Sequence, residues 1–267
     1  MFGAVIGDIV GSRFEFNNIK TKDFEFFHES SRFTDDTVLT VAVAWALLTA
    51  KEDPLSISEI TVTCLRTLGK KYFDRGYGRL FKKWLLSEKP EPYLSYGNGA
   101  AMRVSPCGMV AASLEEARIL AREVTRVTHN HPLGIKGAEA LASAIFLARI
   151  GARKEDIAFF ISENYYNLNF PLDSIRDTLT FDLSCEGTMP QAFRAFLESS
   201  SFEEAIRNAI SLGGDSDTLA AITGSLAAVY HGIPVWMEEK ALTYLDSPLA
   251  KIISDFEKSF PLYFLKA

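Results

Sequence analysis

Across residues 201–212 the apolar positions Phe202, Ala205, Ile206, Ala209 and Ile210 recur three and four apart, so they line one face of a helix. Ser201 precedes that stripe with Glu204 three residues on, the spacing at which a hydroxyl and a carboxylate satisfy each other's orphan backbone donors. Ser56 with Glu59, and Ser113 with Glu116, repeat the spacing ahead of two further helical patterns. Pro54, Pro132 and Pro234 fall near helix starts, and Gly69, Gly151 and Gly213 where helical patterns end. Residues 2–16 read as an apolar helix with one narrow stripe of Asp8, Gly11, Ser12 and Glu15. The stretches 38–48 and 213–234 are too apolar and too rich in small residues for surface helices. After the glycines of 97–99, residues 99–102 read as another helix start. No useful run alternates in the manner of a strand, and no repeat or linker divides the chain. The pattern predicts an all-α fold, one compact multi-helix domain over residues 1–267.

Composition narrows the function more than the fold. A chain of 267 residues with 48% hydrophobic and 23% charged residues is ordinary for a globular protein. The balance of 28 basic against 34 acidic residues, with no basic run, removes the usual electrostatic source of sequence-independent nucleic-acid binding. Cys64, Cys107 and Cys185 stand far apart and outside any CxxC pattern, so neither a disulfide framework nor a zinc site is indicated. The start MFGAVIGDIVG has no basic region and carries Asp8 within its apolar stretch, unlike a signal peptide. The longest uncharged apolar run, residues 38–50, is short for a membrane span. A cytoplasmic protein is expected.

Two acid clusters carry the candidate chemistry. Asp215, Ser216, Asp217 and Thr218 open one buried helix, and Thr34, Asp35, Asp36 and Thr37 open another. Asp, Ser and Thr are good helix caps, and capping remains the alternative for each cluster taken singly. One cap needs one side chain, however, and two such clusters at the mouths of two buried helices are better explained together. Gathered aspartates repel strongly in a low dielectric unless cations neutralise them. Oxygen donors without Cys or His suit Mg²⁺, Mn²⁺ or Ca²⁺, and Asp36 or Asp217 is placed to bridge two ions about 3.5–4 Å apart. Glu15 adds a further acid. The segment Gly97, Asn98, Gly99, Ala100 offers backbone N–H groups as an anion cradle, or else makes a tight turn. His129 and His131 precede a helix and read as hydrogen-bonding groups, to a ligand or to a buried helix end, rather than as zinc ligands. The pairs Phe159-Phe160 and Tyr165-Tyr166 read as core.

The motifs GDIVGSRFE, FTDDT, YGNGAAMRVSP, THNHP, FDLSCEGTMPQAFRAFL and GGDSDTLAAITGSLAAVYHG occur in this order along nearly the whole chain. In this they resemble the ADP-ribosylglycohydrolase family, which includes ADP-ribosylarginine and ADP-ribosylserine hydrolases. The resemblance implies an all-α fold with a centre of two Mg²⁺ or Mn²⁺ ions. It implies metal ligation by Thr34, Asp35 and Asp36 on one side and by Asp215, Asp217 and Thr218 on the other. Glu15 matches the family's acid near the scissile ribosyl bond, with Asp36 and Asp217 as further catalytic carboxylates. Gly97, Asn98, Gly99, Ala100, His129 and His131 match the lining of an ADP-ribose cleft. The implied substrate is an ADP-ribosylated protein or a small-molecule ADP-ribose conjugate, cleaved at C1″. A dinuclear phosphohydrolase acting on a nucleotide, or a non-catalytic ADP-ribose-binding or structural relative, are the alternatives. The absence of a Lys/Arg-rich clamp near the acids disfavours the first, and the intact ligand set the second. Loop 17–33, between Glu15 and the metal motif, is expected to act as a lid.

Overall fold

The computed structural model describes residues 1–50 and 56–261. At its centre α1 (Phe2–Gly11) lies directly on α11 (Ser216–His231), and every residue of α1 is buried. Glycine makes this approach possible: a Cβ on Gly7 would stand 2.1 Å from the Ala220 carbonyl oxygen, and one on Gly3 2.2 Å from that of Gly224. Helix α2 (Asp35–Ala50) is buried along most of its length and runs beside α1. The helices α7 (Pro132–Arg149), α9 (Cys185–Leu197) and α10 (Phe202–Ile210) pack around α11. Amphipathic helices form the outside, among them α3 (Ile57–Lys71), α6 (Leu114–Arg126) and α13 (Ser247–Ser259), each burying only part of its circumference. Both doubly buried acid-headed helices therefore start next to each other, in the middle of the molecule.

Thirteen α-helices and no strand occur among the described residues, as the apolar periodicity requires; the one bridge joins Gly97 and Ser184. Ser113 and Ser201 accept from the N–H groups of Glu116 and Glu204, making two of the three caps read from their spacing, whereas Ser56 makes no side-chain cap bond to α3. Pro132 opens α7 and Pro234 precedes α12 (Val235–Leu242); Pro54 lies outside the described residues. No helix among the described residues is long and apolar enough to cross a membrane.

Four expectations change. Helix α1 stops at Gly11 instead of continuing to residue 16, because side chains take over the polar groups beyond it. Ser12 Oγ donates to Ile9 O, and Asn18 Nδ2 donates to Phe14 O and Glu15 O, so the chain turns away and Glu15 leaves the helix face. Gly69 sits within α3, where its bare face admits Leu85. Residues 98–100 form a 3-10 turn, and the next helix, α5 (Ser105–Val110), begins only beyond Arg103. Of the aromatic pairs, Tyr166 is buried but Phe159 is 69% exposed, on the outer face of α8 (Lys154–Asn164).

Candidate metal centre and substrate cleft

Asp8 organises the first acid cluster. Its carboxylate, fully buried in α1, accepts from Thr34 N at 2.8 Å, Thr34 Oγ1 at 2.7 Å and Thr37 N at 3.0 Å, and from the Thr37 hydroxyl. The first turn of α2 is thus capped from another helix, and Asp35 and Asp36 are released from capping. Asp35 N donates to Arg75 O at 2.7 Å, and Gly76, at φ +105°, passes so close that a Cβ there would meet Asp35 Oδ1 at 2.8 Å.

The second cluster is entered through Gly213 and Gly214, at φ +71° and +72°, a left-handed pair that only glycine adopts without strain. Asn18 grips Gly214 on both sides, accepting from its N–H at 2.7 Å and donating to its carbonyl at 2.9 Å. Lys20 Nζ donates to the carbonyls of Leu212 and Leu179. Because Asn18 also holds Glu15 O, the turn after α1 is tied to the start of α11. Glu15, Asp215 and Asp217 each offer an oxygen, all within 4.8 Å of one another. Asp215 makes no capping bond to α11; its Oδ2 accepts from Asn98 Nδ2 at 2.6 Å. Thr218 Oγ1 donates to Asp36 Oδ2 at 3.2 Å, joining the two clusters.

The site is crowded with unbalanced charge. No lysine or arginine forms an ion pair with Asp8, Glu15, Asp35, Asp36, Asp215 or Asp217 among the described residues. Asp36 Oδ1 and Asp217 Oδ1 are buried with no hydrogen-bond partner. Burial, reinforced by the neighbouring carboxylates, holds Asp35, Asp36 and Asp217 well above the ordinary aspartate range. Burial also raises Asp8 and Asp215, against the hydrogen bonds they accept. Glu15, half-buried, is pushed up to about 7 by burial and by the Asp215 charge. Orphaned carboxylate oxygens in an all-oxygen set are what divalent hard cations bind, so these residues fit a magnesium or manganese centre.

A model of the ADP-ribosylglycohydrolase family matches residues 1–257. The chain belongs to that family. It is 26% identical over 308 residues to ADP-ribosylhydrolase ARH3 of Mus musculus, covering 86% of this chain and 82% of the relative. It is 25% identical over 293 residues to ADP-ribosylarginine hydrolase Tri1 of Pseudomonas putida GB-1, covering 96% and 76%. A solved ADP-ribosylglycohydrolase-related protein complex shares the fold, with a TM-score of 0.67 at 23% identity over 96% of this chain and 95% of its own. As an ADP-ribosylglycohydrolase by family, the chain is an enzyme that hydrolyses glycosidic bonds.

The other expected positions of this glycohydrolase fall around the acids in different ways. Asn98 is buried and serves Asp215, so its side chain buttresses the acid cluster. The N–H groups of Gly97, Asn98, Ala100 and Ala101 are taken by Ser95 Oγ, Leu183 O, Gly97 O and Asn98 O, so the segment is a hydrogen-bonded turn. Ala100 is wholly buried beneath it. His131 caps α7, its Nδ1 accepting from Leu133 N at 3.1 Å, while His129 is buried against the glycine turn. Loop 17–33 is tied down by Asn18 and Lys20, by Arg207 on Lys22 O and Phe24 O, and by buried Phe26 and Phe27, so it forms a wall of the site. Sequence reasoning did not assign Asp8 to the site. Its signal was an acid in the middle of an apolar run, which nothing but a buried polar partner explains.

Proposed function

We propose that the chain is a Mg²⁺- or Mn²⁺-dependent hydrolase that cleaves the C1″ glycosidic bond of an ADP-ribosylated protein or small-molecule ADP-ribose conjugate, releasing ADP-ribose. The observation that carries this reading is the convergence of Glu15, Asp215 and Asp217 with two orphaned buried carboxylate oxygens, in a chain of this family. The names of ARH3 and Tri1 support the substrate class.

Thr34, Asp35, Asp36, Asp215, Asp217 and Thr218 would hold two divalent cations. When bound, these supply positive charge that neutralises the acids, orients the ribose hydroxyls and acidifies a water. The chain's own residues do the rest. Asp8 keeps the first turn of α2 in place, Asn98 fixes Asp215, and Thr218 locks Asp36 to α11. Glu15 is the one acid of its cluster that is partly exposed, and its value of about 7 lets it exchange a proton near neutrality. Hydrolysis places the hydroxyl of water on C1″ and its remaining proton on the leaving group, and Glu15 is positioned to pass that proton. Asp36 and Asp217 complete the catalytic carboxylates. The protein acts in the cytoplasm in this reading.

Incubation with a panel of ADP-ribosylated substrates, on arginine, serine and acetate, with and without Mg²⁺ or Mn²⁺, tests the proposal through release of free ADP-ribose. Metal-dependent release from one linkage is expected. No release from any, with phosphate freed from nucleotides instead, overturns it.

A further inference from the structure

Arg103 is wholly buried and has no carboxylate partner among the described residues. Its Nε and Nη1 make no hydrogen bond, while Nη2 donates to Thr128 Oγ1 and, at 3.4 Å, to Thr125 O. A buried, unpaired cation is costly, so it calls for a role beyond packing. A guanidinium only donates. Thr128 Oγ1 is therefore the acceptor in that bond, and its single proton is left for another partner.

Around that hydroxyl stand His129 Nδ1 at 2.8 Å and Thr125 O at 3.4 Å, with the Tyr93 hydroxyl also hydrogen-bonding Thr128. Accepting from the Arg103 guanidinium makes Thr128 Oγ1 a poorer second acceptor and a stronger donor, which favours sending its proton along the shorter contact to His129 Nδ1. A ring nitrogen that accepts carries no hydrogen, so the neutral imidazole keeps its proton on Nε2. Burial and the Arg103 charge, which hold His129 well below the usual histidine range, keep the ring neutral. Tyr93 packs edge-on against the same ring, with the centroids 5.6 Å apart. Nε2 itself makes no hydrogen bond among the described residues. It faces the two glycines of the turn: a Cβ on Gly99 would stand 3.3 Å from Nε2 and one on Gly97 3.8 Å. Between those glycines lies Asn98, which bonds Asp215.

We propose that Arg103, acting through the Thr128 hydroxyl, fixes His129 as its Nε2–H tautomer, so that the ring donates a hydrogen bond across the glycine turn to an oxygen of the bound ADP-ribose conjugate. The inference rests on the functional reading above for its ligand, and on the hydrogen-bond chain alone for the tautomer. Arg103 and Thr128 are positioning residues; His129 is the group that meets the ligand.

Long-range ¹H–¹⁵N NMR of the four imidazoles tests the tautomer without any ligand, with His129 assigned by its loss in His129→Phe. The wild type is expected to show an acceptor Nδ1 and a protonated Nε2. Thr128→Val, which keeps shape but removes the hydroxyl, should release the ring to a tautomer mixture. It should also weaken ADP-ribose binding by about tenfold, the worth of one neutral hydrogen bond. Thr128→Ser should restore both readings. A wild-type His129 protonated on Nδ1 overturns the proposal, and so does Thr128→Val with an unchanged tautomer and unchanged affinity. Wild-type protein that keeps the expected tautomer but does not bind ADP-ribose refutes the functional reading, and with it the ligand half of the proposal.

Discussion

Replacing Gly7 by alanine tests whether the contact of α1 with α11 holds the site together. The added methyl would meet Ala220 O at 2.1 Å, Ala220 C at 2.3 Å and Ala221 N at 2.6 Å, all backbone atoms that cannot rotate away. Ordinary carbon contacts lie at about 3.5 Å, so the two helices must part by roughly 1 Å. Overpacking of a filled core costs about 1–3 kcal/mol, and a clash with backbone belongs at the upper end. Alanine returns about 1 kcal/mol through its better helix propensity. The net loss is about 2 kcal/mol, which for a domain of this size lowers Tm by roughly 4–8 °C. The displacement also reaches the acids, since α1 carries Asp8 and α11 carries Asp217. Mg²⁺ affinity should therefore fall in the same variant. The assay is metal-free thermal melting followed by calorimetric Mg²⁺ titration, with Gly78→Ala as the control, because a Cβ at Gly78 meets nothing within 4 Å. A Gly7→Ala protein that melts with the wild type, or above it, refutes the reasoning.

Asp217→Asn keeps the side chain's size but removes one negative charge, so divalent-ion binding and hydrolysis should fall sharply together in calorimetry and turnover assays; unaltered binding and activity would remove Asp217 from the centre. The same variant carries a pH prediction. Asp217 is raised in the folded protein, so its stabilisation is fully present below the unfolded value of about 4 and is lost as pH rises toward the folded value. Metal-free wild type should consequently melt below Asp217→Asn at pH 7.5 and approach it at pH 4.5, and parallel melting curves across that range would contradict the assignment. Asn18→Ala, which frees Glu15 and Gly214 from each other, should lower kcat at least tenfold with little change in KM, consistent with loss of one transition-state contact; a pure KM effect would place Asn18 on substrate instead. ADP-ribose at a hundredfold excess over Kd should add about 2.7 kcal/mol of stability in the presence of Mg²⁺, and an equal gain from AMP would argue against recognition of the distal ribose.

The sequence by itself determined the elements and the chemistry of the acids. Most helical periods, the caps at Ser113 and Ser201 and the apolar bodies of α2 and α11 are local properties, set by side chains within a turn of each other, and these are present as read. The pairing of two Asp- and Thr-headed helices was legible for the same reason, because clustered acids ahead of apolar runs already demand a common partner. What the tertiary structure decided is which groups support the acids and which join them. Asp8 caps a helix that begins 27 residues later in the chain, and Asn98 reaches an aspartate 117 residues away. Asn18 pulls Glu15 off the expected helix and onto a glycine 196 residues on. His131 turned to a helix end while His129 turned to the glycine turn, although the two are separated by a single residue. These outcomes depend on backbone polar groups finding partners across a packed interior, and no periodicity within one segment records which distant segment arrives to bond them.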